Sequence, residues 1–139
     1  MQAKDIMSTN PEIISPQTTL KQAAEKMRDQ DIGFLPVGEN DRLIGVITDR
    51  DIVIRGMADG IDLLNASARD VMTDKIQYCF ETDDLDKIAE MMSKLKIRRL
   101  AVLNENKRIT GIISLGDVAT KSQDNKLTGK ITEEVSETT

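Results

Sequence analysis

Gly45-Val46-Ile47-Thr48-Asp49-Arg50-Asp51 and Gly111-Ile112-Ile113-Ser114-Leu115-Gly116-Asp117 are two versions of one segment. Each is an apolar, strand-like run that ends on a hydroxyl residue and, three residues later, an aspartate. Working outward, Asp5, Met7, Leu20, Ala24, Met27, Ile32, Leu35 and Val37 recur 65 residues on as Asp70, Met72, Leu85, Ala89, Met92, Ile97, Leu100 and Val102, with one residue inserted before the quoted segment. An internal repeat on this scale decides the fold, and two copies are too few for a solenoid. The expectation is two similar lobes packed face to face, with related clefts between them.

Within each copy the pattern reads strand, helix, strand, strand, helix, an α/β (α+β) order. Lys4-Asp5-Ile6-Met7 and Arg69-Asp70-Val71-Met72 predict short helical turns, the second with Ser67 as N-cap. Glu12–Ile14 and Ile76–Phe80 predict extended pieces. Leu20, Ala23, Ala24 and Met27 fall on one helical face behind Thr18 or Thr19 as cap, and Leu85, Ile88, Ala89, Met92 and Leu95 do so behind Thr82. Phe34–Val37 with Leu43–Ile47, and Leu100–Leu103 with Ile109–Ile113, predict two hairpins. Helices over Arg50–Ala58 and Gly116–Lys121 close the copies, with Gly60 as a stop. The division by sequence is therefore 1–60, 61–122 and a polar tail, 123–139, whose apolar residues Leu127, Ile131 and Val135 allow one short helix; we expect the tail to be mobile.

A repeat of about 60 residues is marginal for an independent core, so the halves are expected to share buried surface. The net charge of −5 argues against a nucleic-acid or anionic-membrane binder. The one cysteine, Cys79, sits among apolar residues as a small hydrophobe, and the methionines are read as core filler. No signal-peptide pattern or membrane-length apolar run is present, which predicts a cytoplasmic protein without a membrane partner.

The chemistry lies in Gly45-x-x-Thr48-x-x-Asp51 and Gly111-x-x-Ser114-x-x-Asp117. A helix start favours an anion, a hydroxyl adds a hydrogen bond to a phosphate oxygen, and an aspartate can accept both hydrogens of a ribose diol. The spacing suits a ribose phosphate. It is equally the spacing of a capping box, a local device with no ligand. Arg98 and Arg99 offer planar donors to phosphate, or else simply end the solvated basic run from Lys94. Asp83, Asp84 and Asp86 are read as first-turn acids rather than a metal site.

These residues together resemble a tandem pair of CBS (cystathionine-β-synthase-type) domains, a Bateman module, over residues 3 to 120. The carrying stretches are Lys4–Met7 with Arg69–Met72, Ile32–Val37 with Ile97–Val102, and the two Gly-x-x-Thr/Ser-x-x-Asp segments, of which Thr48–Val53 is especially typical. The resemblance implies β-α-β-β-α lobes related by a pseudo-twofold axis, a homodimer, and clefts that take AMP, ADP, ATP or S-adenosylmethionine. Carried over position by position, the first site comprises Asn10, Ile32, Gly33, Phe34, Leu35, Thr48, Arg50 and Asp51. The second comprises Lys75, Ile97, Arg98, Arg99, Leu100, Ser114 and Asp117. Asp51 and Asp117 would hold ribose hydroxyls, with Thr48 and Ser114 near the ribose or phosphate.

The implied function is a non-catalytic regulatory module that requires no cofactor, binds an adenosine ligand and signals in trans to an unidentified effector protein. The alternative is a nucleotide-free structural or interaction module. Enzyme activity is the weakest reading: the chain has no histidine, and Cys79 therefore has no imidazole to activate it.

Overall fold

The structure, a computed structural model, describes residues 1–121 of the 139-residue chain. The tail reading, with Leu127, Ile131 and Val135, lies outside the described residues. The elements are α1 (Ala3–Ile6), β1 (Ser8–Thr9), α2 (Leu20–Gln30), β2 (Phe34–Glu39), β3 (Arg42–Thr48), α3 (Asp49–Asp51) continuing as a π-helical stretch (Ile52–Met57), α4 (Ala68–Val71), β4 (Tyr78–Phe80), α5 (Leu85–Leu95), β5 (Arg99–Leu103), β6 (Ile109–Ser114) and α6 (Leu115–Lys121). This is the mixed α+β architecture read from the repeat.

The chain divides into two compact units, and the division does not follow the repeats. One unit is residues 12–76; among the described residues the other joins 1–11 to 77–121. The opening turn of each repeat thus packs into the unit built by the other. In the second unit the sheet runs β1-β6-β5-β4, with Ser8 opposite Ile112 and Thr9 opposite Gly111. In the first, β2 and β3 form a hairpin, Thr73 bridges Val46 and Ile14 bridges Val37. These are the same neighbours in the same order, reduced to single bridges at both edges.

Two glycines make the edge contact possible. A Cβ on Gly111 would lie 2.6 Å from Met7 Sδ and 2.7 Å from the Ser8 carbonyl oxygen; on Gly45 it would lie 2.8 Å from Met72 Sδ and 3.0 Å from the Thr73 carbonyl oxygen. The repeated Asp-x-Met turn and the repeated glycine are therefore two halves of one packing contact. The same swapped segments close the long helices, since the Leu20 N–H donates to the Ala66 carbonyl and the Leu85 N–H to the Met1 carbonyl.

Each unit has its own aliphatic core. Leu20, Ala23, Leu35, Val37, Ile47 and Val71 fill one; Ile6, Ile88, Met92, Leu100, Ile113 and Val118 fill the other. Met27 and Met92 are core residues as expected, whereas Met1 and Met57 are mostly exposed.

Several local expectations are corrected. Glu12–Ile14 is not a strand beyond the Ile14 bridge. Ile14 donates to the Pro36 carbonyl and accepts from Gly38, and Pro36 has no N–H with which to extend the ladder toward Glu12. Ala101, its counterpart, keeps that N–H, and β4 is a strand of three residues. Thr82 does not cap α5: the N-cap is Asp84, and Asp83 Oδ2 instead accepts from the Phe80 N–H at 2.8 Å. Of the two caps read for α2, Thr18 and Thr19, Thr19 is the one used, accepting from the Gln22 N–H at 3.1 Å. The helix expected over Arg50–Ala58 is α-helical for three residues only, and the Ala58 N–H reaches back to the Val53 carbonyl. The β-branched run Ile52-Val53-Ile54 followed by Gly56 is a weak α former. The first hairpin turn is tighter than the five-residue link expected, because Asn40 and Asp41 both take positive φ, the two-residue turn that matches strand twist.

Candidate functional site

Both sequence motifs fold into the same local object. β3 and β6 deliver Thr48 and Ser114 to the end of a strand, and a helical turn follows at once. The Asp51 N–H donates to Thr48 Oγ1 at 3.1 Å, while Asp51 Oδ2 accepts from the Thr48 N–H at 2.9 Å. The Asp117 N–H donates to Ser114 Oγ at 3.0 Å, and Asp117 Oδ2 accepts from the Ser114 N–H at 2.9 Å. These are reciprocal capping boxes, so the local reading of the spacing is realised twice. A ligand reading must use what the boxes leave over.

What remains on each aspartate is chiefly Oδ1, and both side chains keep 18% of their exposure. Asp51 Oδ1 pairs with Arg55 Nη2 at 2.8 Å, and Arg55 Nη2 also donates to Thr73 Oγ1 at 2.9 Å. Asp117 Oδ1 lies 3.6 Å from Lys121 Nζ, which donates to the Ile6 carbonyl at 3.0 Å. In each unit the cation four residues beyond the aspartate thus ties the motif to the swapped-in segment. Sequence reasoning missed Arg55 and Lys121; the signal was their i, i+4 spacing from an acid on a predicted helix.

The structure sorts the expected site residues as follows. Ile32, Gly33, Phe34, Leu35, Thr48, Arg50 and Asp51 share one unit; Ile97, Arg98, Arg99, Leu100, Ser114 and Asp117 share the other. Asn10 and Lys75 change sides: Asn10 follows β1 and belongs to the Asp117 unit, and Lys75 follows Thr73 in the Asp51 unit. Leu35 and Leu100 are completely buried, so only their backbone could meet a ligand, and Phe34 is 8% exposed. Gly33 is capped by Asp49: its carbonyl accepts the Asp49 N–H at 3.1 Å, and a Cβ there would lie 2.7 Å from Asp49 Oδ2. Arg50 donates its backbone N–H to Asp49 Oδ1.

Other titratable groups have structural work. Asp83 Oδ1 pairs with Lys87 Nζ at 3.2 Å, and among the described residues no three His, Cys, Asp or Glu side chains converge on a possible metal position. Burial, followed by the nearby charge of Asp83, pushes the Cys79 thiol up to about 12, which keeps it protonated and unreactive at neutral pH. No helix among the described residues is long and apolar enough to cross a membrane.

Comparison with known proteins places this geometry. The family model described as "CBS domain" matches residues 3–57 and 68–124. Hypoxic response protein 1 of Mycobacterium tuberculosis (strain H37Rv) is 39% identical over 118 residues, covering 84% of this chain and 82% of that protein. A crystal structure of Hypoxic Response Protein I with two coordinated zinc ions is 38% identical, with a TM-score of 0.78, over 87% of this chain and 98% of that one. The CBS domain pair of protein MJ0100, in complex with 5′-methylthioadenosine and S-adenosyl-L-methionine, is 26% identical, with a TM-score of 0.76, over 86% of this chain and 93% of that one.

Proposed function

The chain belongs to the CBS-domain family, with two copies in tandem, and from that premise we propose that it is a non-catalytic regulatory protein that binds an adenosine ligand at its Thr48–Asp51 and Ser114–Asp117 motifs. The observation that carries this reading is the duplicated hydroxyl–carboxylate pair, built alike in both units and with each carboxylate still partly open. The MJ0100 domain pair holds adenosine compounds on the same fold, which supports the ligand class. Ribose hydroxyls donating to the outer oxygens of Asp51 and Asp117 would compete with or join Arg55 and Lys121. Occupancy would then be felt at Thr73 and Ile6, on the segments exchanged between the units. A ligand that favours one arrangement of those segments shifts its population, and an effector protein in the cytoplasm would read that shift.

The protein would act as a homodimer. Val53, Ile54 and Met57 are all about half or more exposed along one stretch, an apolar face suited to a second copy; gel filtration at twice the monomer mass supports the dimer, and a monomer at high concentration refutes it. Absence of histidine and a buried, protonated Cys79 support the non-catalytic reading.

A second reading has a specific observation in its favour. The motif aspartates are already satisfied by cap and cation, so the motifs can serve as framework in a nucleotide-free interaction module. Thermal-shift titration with AMP, ADP, ATP, S-adenosylmethionine and GTP separates the two. A ligand that binds only the folded state adds about 2.7 kcal/mol at a hundred times its dissociation constant. Stabilisation by an adenosine compound and not by GTP is the expected result; no shift with any of them favours the framework module.

A further inference from the structure

The seven methionines differ in what an oxidant would meet and in what the fold would lose. Met27 and Met92 are 7% and 0% exposed, inside the cores. Met1 and Met57, at 55% and 67%, stand in the open, where an added polar oxygen costs little. Met91 is partly buried on α5, against the core of the Asp117 unit. Met7 and Met72 are likewise partly exposed and packed against a core, one in each unit. They alone add a third property: each lays its thioether on a buried glycine of the neighbouring strand.

That contact leaves no room for another atom. A Cβ on Gly111 would lie 2.6 Å from Met7 Sδ and 2.9 Å from its Cγ; on Gly45 it would lie 2.8 Å from Met72 Sδ and 3.3 Å from its Cγ. An oxygen carried by the sulfur toward the strand meets the same obstruction from the other side. The polar atom at each contact is a carbonyl oxygen, of Ser8 in one unit and Thr73 in the other. A sulfoxide oxygen is also an acceptor, so those carbonyls offer it no hydrogen. Turned outward, the same oxygen draws the sulfur toward water and off the strand.

We propose that Met7 and Met72 are paired modification sites, whose oxidation to sulfoxide by a peroxide releases each opening turn from the glycine strand beneath it. A lone pair of the thioether sulfur attacks one peroxide oxygen. The S–O bond forms as the O–O bond breaks, and the departing hydroxide takes the proton left on the transferred oxygen to leave as water. The sulfur loses two electrons and the peroxide gains them. The change is chemically reversible, since reductases act on both sulfoxide epimers. Cys79, the one thiol, is buried and closed to the same oxidant. Release loosens the pairing of Ser8 with Ile112 and Thr9 with Gly111 in one unit. In the other it loosens the reciprocal Val46–Thr73 bonds of 3.0 and 2.9 Å. The same turns anchor Lys121 at the Ile6 carbonyl and Arg55 at Thr73 Oγ1, so oxidation reaches the motif aspartates without any ligand. The inference is independent of the adenosine reading.

The test treats the full chain with hydrogen peroxide under native conditions, maps the added oxygen by peptide mass and follows amide hydrogen exchange. Met1 and Met57 are expected to be modified first, Met7 and Met72 next, and Met27 and Met92 last. Exchange at Val46 and Thr73, and across Ser8–Thr9 and Gly111–Ile112, should hold while only Met1 and Met57 carry oxygen. It should quicken about tenfold or more once Met7 and Met72 do, as for local opening. Met7→Leu should protect Ser8–Thr9 and Gly111–Ile112 alone, and Met72→Leu should protect Val46 and Thr73 alone. Leucine conserves volume, and unchanged exchange before treatment is the folding control. The proposal fails if Met7 and Met72 stay unmodified until the chain unfolds, or carry oxygen without faster exchange. It also fails if either leucine variant quickens at both places as the unmodified chain does.

Discussion

The Asp117 unit and the Asp51 unit keep the same backbone bonds around their motifs and differ in the helix that follows and in the edges of the sheet. Both have the reciprocal cap, the glycine under a methionine, and a cation four residues past the aspartate. Yet one closes on a regular α6 and the other on a π-helical stretch. One carries a four-stranded sheet, the other a hairpin with single bridges at its edges. The difference teaches that the shared residues maintain a frame and that the unshared ones set the two units apart.

The frame is tested most severely at its glycines. Gly111→Ala drives a Cβ into both Met7 Sδ and the Ser8 backbone oxygen, and backbone cannot swing aside as a thioether can. Urea unfolding should show a loss of about 3 kcal/mol, against about 2 kcal/mol for the slightly roomier Gly45→Ala. Equal and negligible losses would mean that the swapped turns yield freely and do not hold the frame.

A smaller effect is expected where the units differ in strand content. Ala101→Pro gives the Asp117 unit the proline of its partner and should cost about 1–3 kcal/mol through the ladder donor it removes. The reverse change, Pro36→Ala, should stay within about 1 kcal/mol, because no strand at Glu12–Ile13 waits to accept the new N–H. If Ala101→Pro is silent in denaturant titration, the missing strand has another cause.

The smallest difference lies in the motif ion pairs. A double-mutant cycle on Asp51 and Arg55 should return a coupling of about 0.5–1 kcal/mol, as for a well-aligned, partly exposed pair. The Asp117–Lys121 cycle should return less than about 0.5 kcal/mol, because 3.6 Å is a loose contact and Lys121 is directed to the Ile6 carbonyl. A larger coupling at Asp117 would reverse the order of the two sites.

The repeat, the order of elements and the motif caps were legible in sequence because they rest on local spacing: Thr48 to Asp51, Ser114 to Asp117, and the helix face of Leu20 and Met27. The exchange of opening turns was not legible, since Asp5-x-Met7 reads the same whichever lobe it enters. Its one trace is complementarity, a bulky methionine in one repeat matched by a conformationally unneeded glycine in the other. Thr82 looked like a cap because capping by the Met1 carbonyl leaves no mark at residue 84. The resemblance groups Asn10 with Asp51 and Lys75 with Asp117, whereas the exchange puts Asn10 in the Asp117 unit and Lys75 in the Asp51 unit.

That exchange also orders events on the ribosome. Residues 12–76 are continuous and can close their core as soon as Thr73 has been made. Residues 1–11, though synthesised first, find their strand partner only in Gly111 and Ile112 and their side-chain tie only in Lys121. Ala3, Ile6 and Met7 must therefore stay uncovered until Gly111 and Ile112 have been made, and the tie from Lys121 to the Ile6 carbonyl forms later still. Such long-range closure is slow relative to local folding. The unit carrying Asp117 is accordingly the later-folding of the two, clasped by a segment made before the other unit was begun.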